Sequence, residues 1–415
     1  MFWGKTKKRD TRLAINIGTG SVTGLLYHPL LMGESDGDQK NVAEHPEVIK
    51  VLTLPKSFSS PPDLSNISRS IKNGIKELRG LVDDNLHISG ITVILSSPWF
   101  FSQTRTINME RPDAFEVNRE LVKNILDEEK DLFVHGARGR SVVSPVDDPE
   151  IIEISIMRTL LNGYEVEKFF GKKTISAVFS VYLSLSLKDM ILRTQDQLHD
   201  AFHTDNIIFH SFPYIFFRAA KHIFDTSRGF TIVDVGGEIT DVTIIRDGVI
   251  EETFSFGKGI NFIIRRLSSA FDISPEEALS ILNLAHRGEF ADSAKDMKMK
   301  VINSAIDEWS NYFSEIVKQA TSHKFLPSKL IFIGEGARFS FFNQIFKNED
   351  FKEKIYRRKI FSRKPFLPRY YVIISAERVS CLRETRIPPD FSCRHCIMMW
   401  VSMIDRWFIY LLKIL

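Results

Sequence analysis

Short apolar runs rich in branched residues alternate along this chain with longer stretches in which apolar residues recur every three or four positions. The runs predict buried strands at residues 13–17, 22–27, 48–54, 88–95, 174–182, 207–209, 230–235, 240–245 and 329–333. The spaced stretches predict helices. One covers 63–81, with Leu64, Ile67, Ile71, Ile75 and Leu78 on one side. Others cover 113–133, 185–202, a stretch from Pro213 to about 224, 260–271 and 294–324. Residues 141–156 read as a strand interrupted by Pro145 and Pro149, and 163–169 as a short one. Ser274-Pro275-Glu276-Glu277 carries a helix start in full: a hydroxyl cap, proline at the first helical position, glutamate at the third. Strands that alternate with helices point to an α/β protein.

Three strand ends carry glycine. Residues 13–17 run into Gly18-Thr19-Gly20-Ser21 and then a second strand. Phe230 to Val235 runs into Gly236-Gly237, and the strand from Thr240 returns through the turn Arg246-Asp247-Gly248. Residues 329–333 run into Gly334-Glu335-Gly336-Ala337. Glycine lets backbone N–H groups come close to an anion, so such turns are candidate phosphate cradles. Asp234, at a strand end beside a glycine turn, could hold a hydrated magnesium ion, a cation that prefers oxygen ligands. Thr240 faces the same turn, and Gly257 with Gly259 offers a further close approach.

The order of these motifs resembles the actin-like ATPases, over about residues 12 to 380. Within them it is similar to the FtsA family of bacterial cell-division proteins and the related PilM family of pilus-assembly proteins. Gly18, Thr19, Gly20 and Ser21 match the first phosphate loop of that fold. Asp234, Gly236, Gly237, Thr240 and Asp241 match the second, and Gly334, Gly336 and Ala337 match the adenosine motif. The segment with Gly257, and the ISPEEA stretch after it, resembles the segment after the second phosphate loop in FtsA. The resemblance implies a duplicated, ribonuclease H-like α/β fold that binds ATP with Mg²⁺.

It also implies a domain plan. A basic leader covers 1–11. The first half covers 12–83 and 174–206, with a small α+β subdomain inserted at 84–173. The second half covers 207–382, a linker 383–396 and an amphipathic helix 397–415. Asn16 stands where the family usually has aspartate, and it would be the poorer partner of Asp234 in holding a metal. Hydrolysis, with Asp234 and His210 as catalytic candidates, should therefore be weak. Binding without turnover is the alternative, and the sequence leaves a packing role for His210 equally open.

Composition narrows the function classes. A net charge of +3 in 415 residues gives no steering toward nucleic acid. Three cysteines exclude a disulfide framework and fit a reducing compartment. Cys393 and Cys396 have too few companions for a zinc site. Residues 1–12 are basic and lack the apolar segment of a signal peptide. From Ile397 onward the chain is strongly apolar, with Ser402, Arg406 and Lys413 on one narrow stripe and Trp400, Met403, Ile404, Trp407, Leu411 and Leu415 on the wide face. That pattern suits a helix lying in a membrane surface, or one docked on protein.

The resemblance implies two functions. The first is a peripheral protein of the cytoplasmic membrane face that tethers a division filament, with the tubulin-like FtsZ as partner and self-polymerisation possible. The second is a PilM-like scaffold with little ATPase activity that holds a peptide of an inner-membrane protein. A sugar-kinase-like enzyme is a weaker third, since no carboxylate base stands in a fitting context.

Overall fold

The computed structural model describes residues 10–29, 47–55, 64–137, 148–223, 229–290, 295–320, most of 326–348, then 351, 355 and 370–372. The chain opens with β1 (Arg12–Ile17), β2 (Ser21–His28), β3 (Glu47–Pro55), α1 (Leu64–Leu81) and β4 (Gly90–Leu95). Then come β5 (Phe101–Glu116), α2 (Arg119–Ala137), β6 (Pro149–Leu161), β7 (Tyr164–Glu165) and β8 (Lys173–Leu187). The first half closes with α3 (Lys188–Phe202), β9 (Ile207–Ser211) and α4 (Phe212–Ile223). The second half contains β10 (Phe230–Val235), β11 (Thr240–Arg246), β12 (Val249–Phe256), α5 (Ile260–Phe271), α6 (Pro275–Arg287), α7 (Lys295–Ala320), β13 (Leu330–Ile333), a 3₁₀ turn (Glu335–Arg338), α8 (Ser340–Ile345) and β14 (Tyr370–Val372).

Two five-stranded sheets share one plan. The first has the order β3-β2-β1-β4-β9 and the second β12-β11-β10-β13-β14. In each, the first three strands form an antiparallel meander; the first of them then pairs in parallel with a later strand, which pairs in parallel with the last. The glycine turns at 18–20 and 236–239 thus occupy equivalent places, one in each half.

Parallel strands are buried on both faces, which explains why every position of β4 and β13 is buried. Ile71, Ile75 and Leu78 of α1, with Ile191, Leu198 and Phe202 of α3, cover the first sheet. Phe216, Phe217 and Ala220 of α4 pack on Phe230, Ile232, Ile245, Ile331 and Ile333 of the second. On that sheet's other face, α5, α6, α7 and α8 build the largest core around Trp309.

A third sheet, β5-β8-β6-β7, is inserted in the first half, with α2 on one face. It spans Phe101 to Leu187, not 84–173. β4, expected in the insertion, lies between β1 and β9. The strand from 174, expected in the first half, is β8, the central strand of the insertion. A doubly buried run marks a central strand but not the sheet it belongs to. Likewise, 113–116 extends β5 instead of opening α2, because Phe115 and Glu116 pair with Thr174 and Lys173 across an irregularity. The linker, the terminal helix and its residues Trp400, Met403, Ile404, Trp407, Leu411 and Leu415 lie outside the described residues. Among the described residues, no helix is long and apolar enough to cross a membrane.

The start of α6 matches the sequence reading. Ser274 Oγ accepts from Glu277 N–H at 3.2 Å, and Glu277 Oε2 accepts from Ser274 N–H at 3.0 Å. Ser274→Ala should lower stability by about 1 kcal/mol, measured by urea unfolding. An unchanged midpoint would show that the cap contributes nothing.

Candidate functional site

The glycine turns of the two halves meet. A methyl group added to Gly237 would stand 2.5 Å from Gly20 Cα and 2.6 Å from its nitrogen. Only glycine permits that approach. Glu238 N–H then donates to Thr19 Oγ1 at 2.9 Å, a direct bond from the second half to the first.

Several of the N–H groups that might cradle an anion donate within the protein. Gly18 N–H donates to Ser21 O at 3.1 Å and Gly236 N–H to Ile239 O at 2.9 Å. The start of α5 would otherwise be a ready anion site. Here Gly259, Ile260 and Asn261 donate their N–H groups to the carbonyls of Glu238, Gly236 and Gly237 at 2.8–2.9 Å. Gly259 is the glycine that this fit demands, since a side chain there would collide with the carbonyls of Gly236 and Gly237. Gly257 has open space around it and makes no such approach to the protein.

Carboxyl groups line the junction. Asp234 and Asp241 are cross-strand partners on β10 and β11. Asp234 retains some exposure, yet protein surrounds it closely. Burial, then the charges of Asp241 and Glu335, push its carboxyl up to about 8. Burial also raises Asp241 to about 6, against hydrogen bonds from Ser255 and Ser97 that favour its charged form. Ser255 Oγ donates to Asp241 Oδ1 at 2.5 Å. Ser97 comes just after β4, so Asp241 is a second tie between the halves.

Glu238 is neutralised inside the second half. It accepts both Arg265 guanidinium N–H groups at 2.8 and 2.9 Å, and Asn261 Nδ2 at 2.8 Å. The late glycine strand end adds Glu335. Gly334 adopts φ 82°, a left-handed bend, and Asp234 leaves no room for a side chain there. Gly336 packs on Val235, and Ala337 is buried beside it. The bend lays the Glu335 carboxylate on Gly20, where an added methyl would strike both of its oxygens.

The other expected residues hold structural contacts. Asn16 accepts from Ser96 Oγ at 3.2 Å, near the end of β1. Ser21 opens β2, and its carbonyl closes the first turn. Thr240 is fully buried; its hydroxyl donates to Lys258 O at 2.7 Å and accepts from Trp309 Nε1 at 3.0 Å, so it braces the hairpin from inside. His210 faces Glu153 of the inserted sheet, Nδ1 to Oε1 3.0 Å, and stacks on Tyr214. Buried Glu153 also accepts from Ser184 Oγ at 2.5 Å and from Ser211 Oγ. His210 therefore joins the insertion to β9.

Sequence reasoning missed Glu238, Ser97 and Ser255, which carry no local signal; Glu335 is legible as a charge inside a glycine motif.

A nucleotide with its magnesium ion does not fit this arrangement. The two cradles touch each other, the start of α5 is closed by carbonyls, and Glu335 and Asp241 add negative charge beside Asp234.

No family model matches the sequence, and neither does any curated protein sequence. Solved structures do match. A chain of the PilM–PilN type IV pilus biogenesis complex superposes with TM-score 0.57 at 10% identity, over 97% of this chain and 98% of that one. The ethanolamine utilization protein EutJ from Carboxydothermus hydrogenoformans gives TM-score 0.41 at 13% identity, over 84% and 82%. A Bacteroides thetaiotaomicron protein with actin-like ATPase fold and unknown function gives 0.41 at 11%, over 93% and 100%. With its two sheets of identical order and its end-to-end likeness to the pilus-complex chain, this chain has the actin-like ATPase fold.

Proposed function

We propose that the chain is a PilM-like scaffold at the cytoplasmic face of a membrane, which works by holding a partner protein and not by turning over ATP. The observation that carries this reading is the likeness to a chain of the PilM–PilN complex over nearly the whole of both chains. The contact between the glycine turns supports it, because a scaffold can keep its halves together without hydrolysis.

The inserted sheet supplies a place for the partner. Among the described residues, the outer edge of β6 is paired at its end, where Leu160 and Leu161 meet β7 and the Thr159 carbonyl accepts from Val166 N–H. A groove of about 660 Å³ runs between α2 and β6, with Leu126, Val134, Ile151 and Ile154 on its walls. An open edge beside a groove that mixes these apolar walls with charged residues such as Lys123, Asp127 and Lys130 suits an extended peptide, which would add as a strand. The division-tether reading, with FtsZ as partner, leans on the FtsA-like segment from Gly257 through the ISPEEA stretch and on the terminal segment, which lies outside the described residues.

A photo-cross-linking residue at Ile154, followed by purification from native membranes, tests the scaffold. The expected result is one adduct with a membrane-anchored protein at equal stoichiometry, and no pelleting filaments. Filaments that sediment with MgATP, without an adduct, would overturn it.

A further inference from the structure

The disagreement between the glycine motifs and the closed cleft has a specific source. Three glycine-rich segments of the fold converge here, each at a close approach that only glycine permits. Yet the group lying on Gly20 belongs to the protein. Gly334 in its left-handed bend turns the chain toward the first half. The packing of Gly336 on Val235 fixes the far side of the same 3₁₀ turn. Between them, Glu335 has its carboxylate against Gly20 Cα, and Gly237 closes on the same residue from the second half. Gly20 is thus covered from two directions, by a carboxylate and by a backbone.

We propose that Glu335 is a built-in occupant of the phosphate cradle, an internal anion that excludes a nucleotide's phosphates from Gly20 and keeps the cleft closed. The carboxylate is the right kind of group for this place. It carries the charge that the glycine turns attract, and it is delivered by the polypeptide itself, so it has no association entropy to overcome. It also repels. A phosphate arriving at Gly20 must displace Glu335 and then stand near the Asp241 carboxylate and the crowded carboxyl of Asp234. The residue between Gly334 and Gly336 therefore determines whether the cleft admits nucleotide. This holds whether or not the inserted sheet binds a peptide.

Calorimetric titration of the 415-residue chain with MgADP tests it, using wild type, Glu335→Ala and Glu335→Gln. Circular dichroism confirms that each variant is folded, and thermal unfolding with and without MgADP gives a second readout. The wild type is expected to show weak or no binding and no ligand-dependent shift in Tm. At least one variant is expected to bind at least about tenfold more tightly and to gain Tm with ligand. Wild-type binding as tight as that of both variants would overturn the proposal. So would two folded variants that fail to bind, since Glu335 would then not be what keeps nucleotide out.

Discussion

Asp234→Asn is expected to stabilise the ligand-free protein, and to do so more as the pH rises. The carboxyl sits among protein atoms opposite Asp241 and beside Glu335, and these surroundings push it up to about 8. In an unfolded chain an aspartate titrates near 4. The native state therefore keeps a proton that the unfolded state releases. Stability from this site is complete below about pH 4 and falls as pH rises toward 8, where the folded protein must carry the charge. Each unit of difference corresponds to about 1.4 kcal/mol. Because Asp234 keeps some exposure, only part of the full difference should be realised; two units would give about 3 kcal/mol. Asparagine keeps the volume and removes the charge. Scanning calorimetry from pH 5 to 8.5 should show the wild-type Tm falling, with the variant flatter and higher by a few degrees at the alkaline end. Parallel curves would mean that Asp234 is ionised at no cost and that the cleft is more open than its geometry indicates. Asp241→Asn should have the smaller effect, since it also loses the bonds from Ser255 and Ser97.

Much of this site is legible in the residues alone. The β10–β11 hairpin follows from its apolar runs, and the turn after it from Asp247-Gly248, both of which adopt positive φ. The equivalence of the turns at 18–20 and 236–239 is visible as a repeated strand–glycine–strand pattern. Other features depend on contacts between distant residues and leave no local trace. The run at 174–182 has the composition of any central strand, and only its pairing with β5 and β6 assigns it to the insertion. Gly257 and Gly259 are alike in sequence; the carbonyls of Gly236 and Gly237 distinguish them. His210 gives no hint of Glu153, which is 57 residues away. Glu335 can be recognised as odd, but its contact with Gly20 depends on the φ of Gly334 and on how the two halves meet.

Trp309→Ala is expected to cost about 3–5 kcal/mol, the range for removing a large aromatic side chain from a packed core. Trp309 is completely buried on α7. It stacks on Phe313 at 5.3 Å and meets Phe342 edge-on at 5.0 Å and Phe256 at 5.7 Å. Its Nε1–H also ends in the candidate site, on the Thr240 hydroxyl that in turn donates to Lys258 O. That carbonyl immediately precedes Gly259, which fits against the second glycine turn. The core of the second half therefore sets the position of the contact between halves. Trp309→Phe separates the two contributions. It keeps an aromatic ring while deleting the N–H, and should cost the loss of a bulkier ring plus about 1 kcal/mol for the hydrogen bond. Hydrogen exchange should quicken at residues 234–241 and 257–261 in Trp309→Phe, before global unfolding does. If exchange rose evenly across the second half, Trp309 would be a core residue alone. Local loosening at those two segments would instead show that the helical layer holds the glycine turns in register through Thr240.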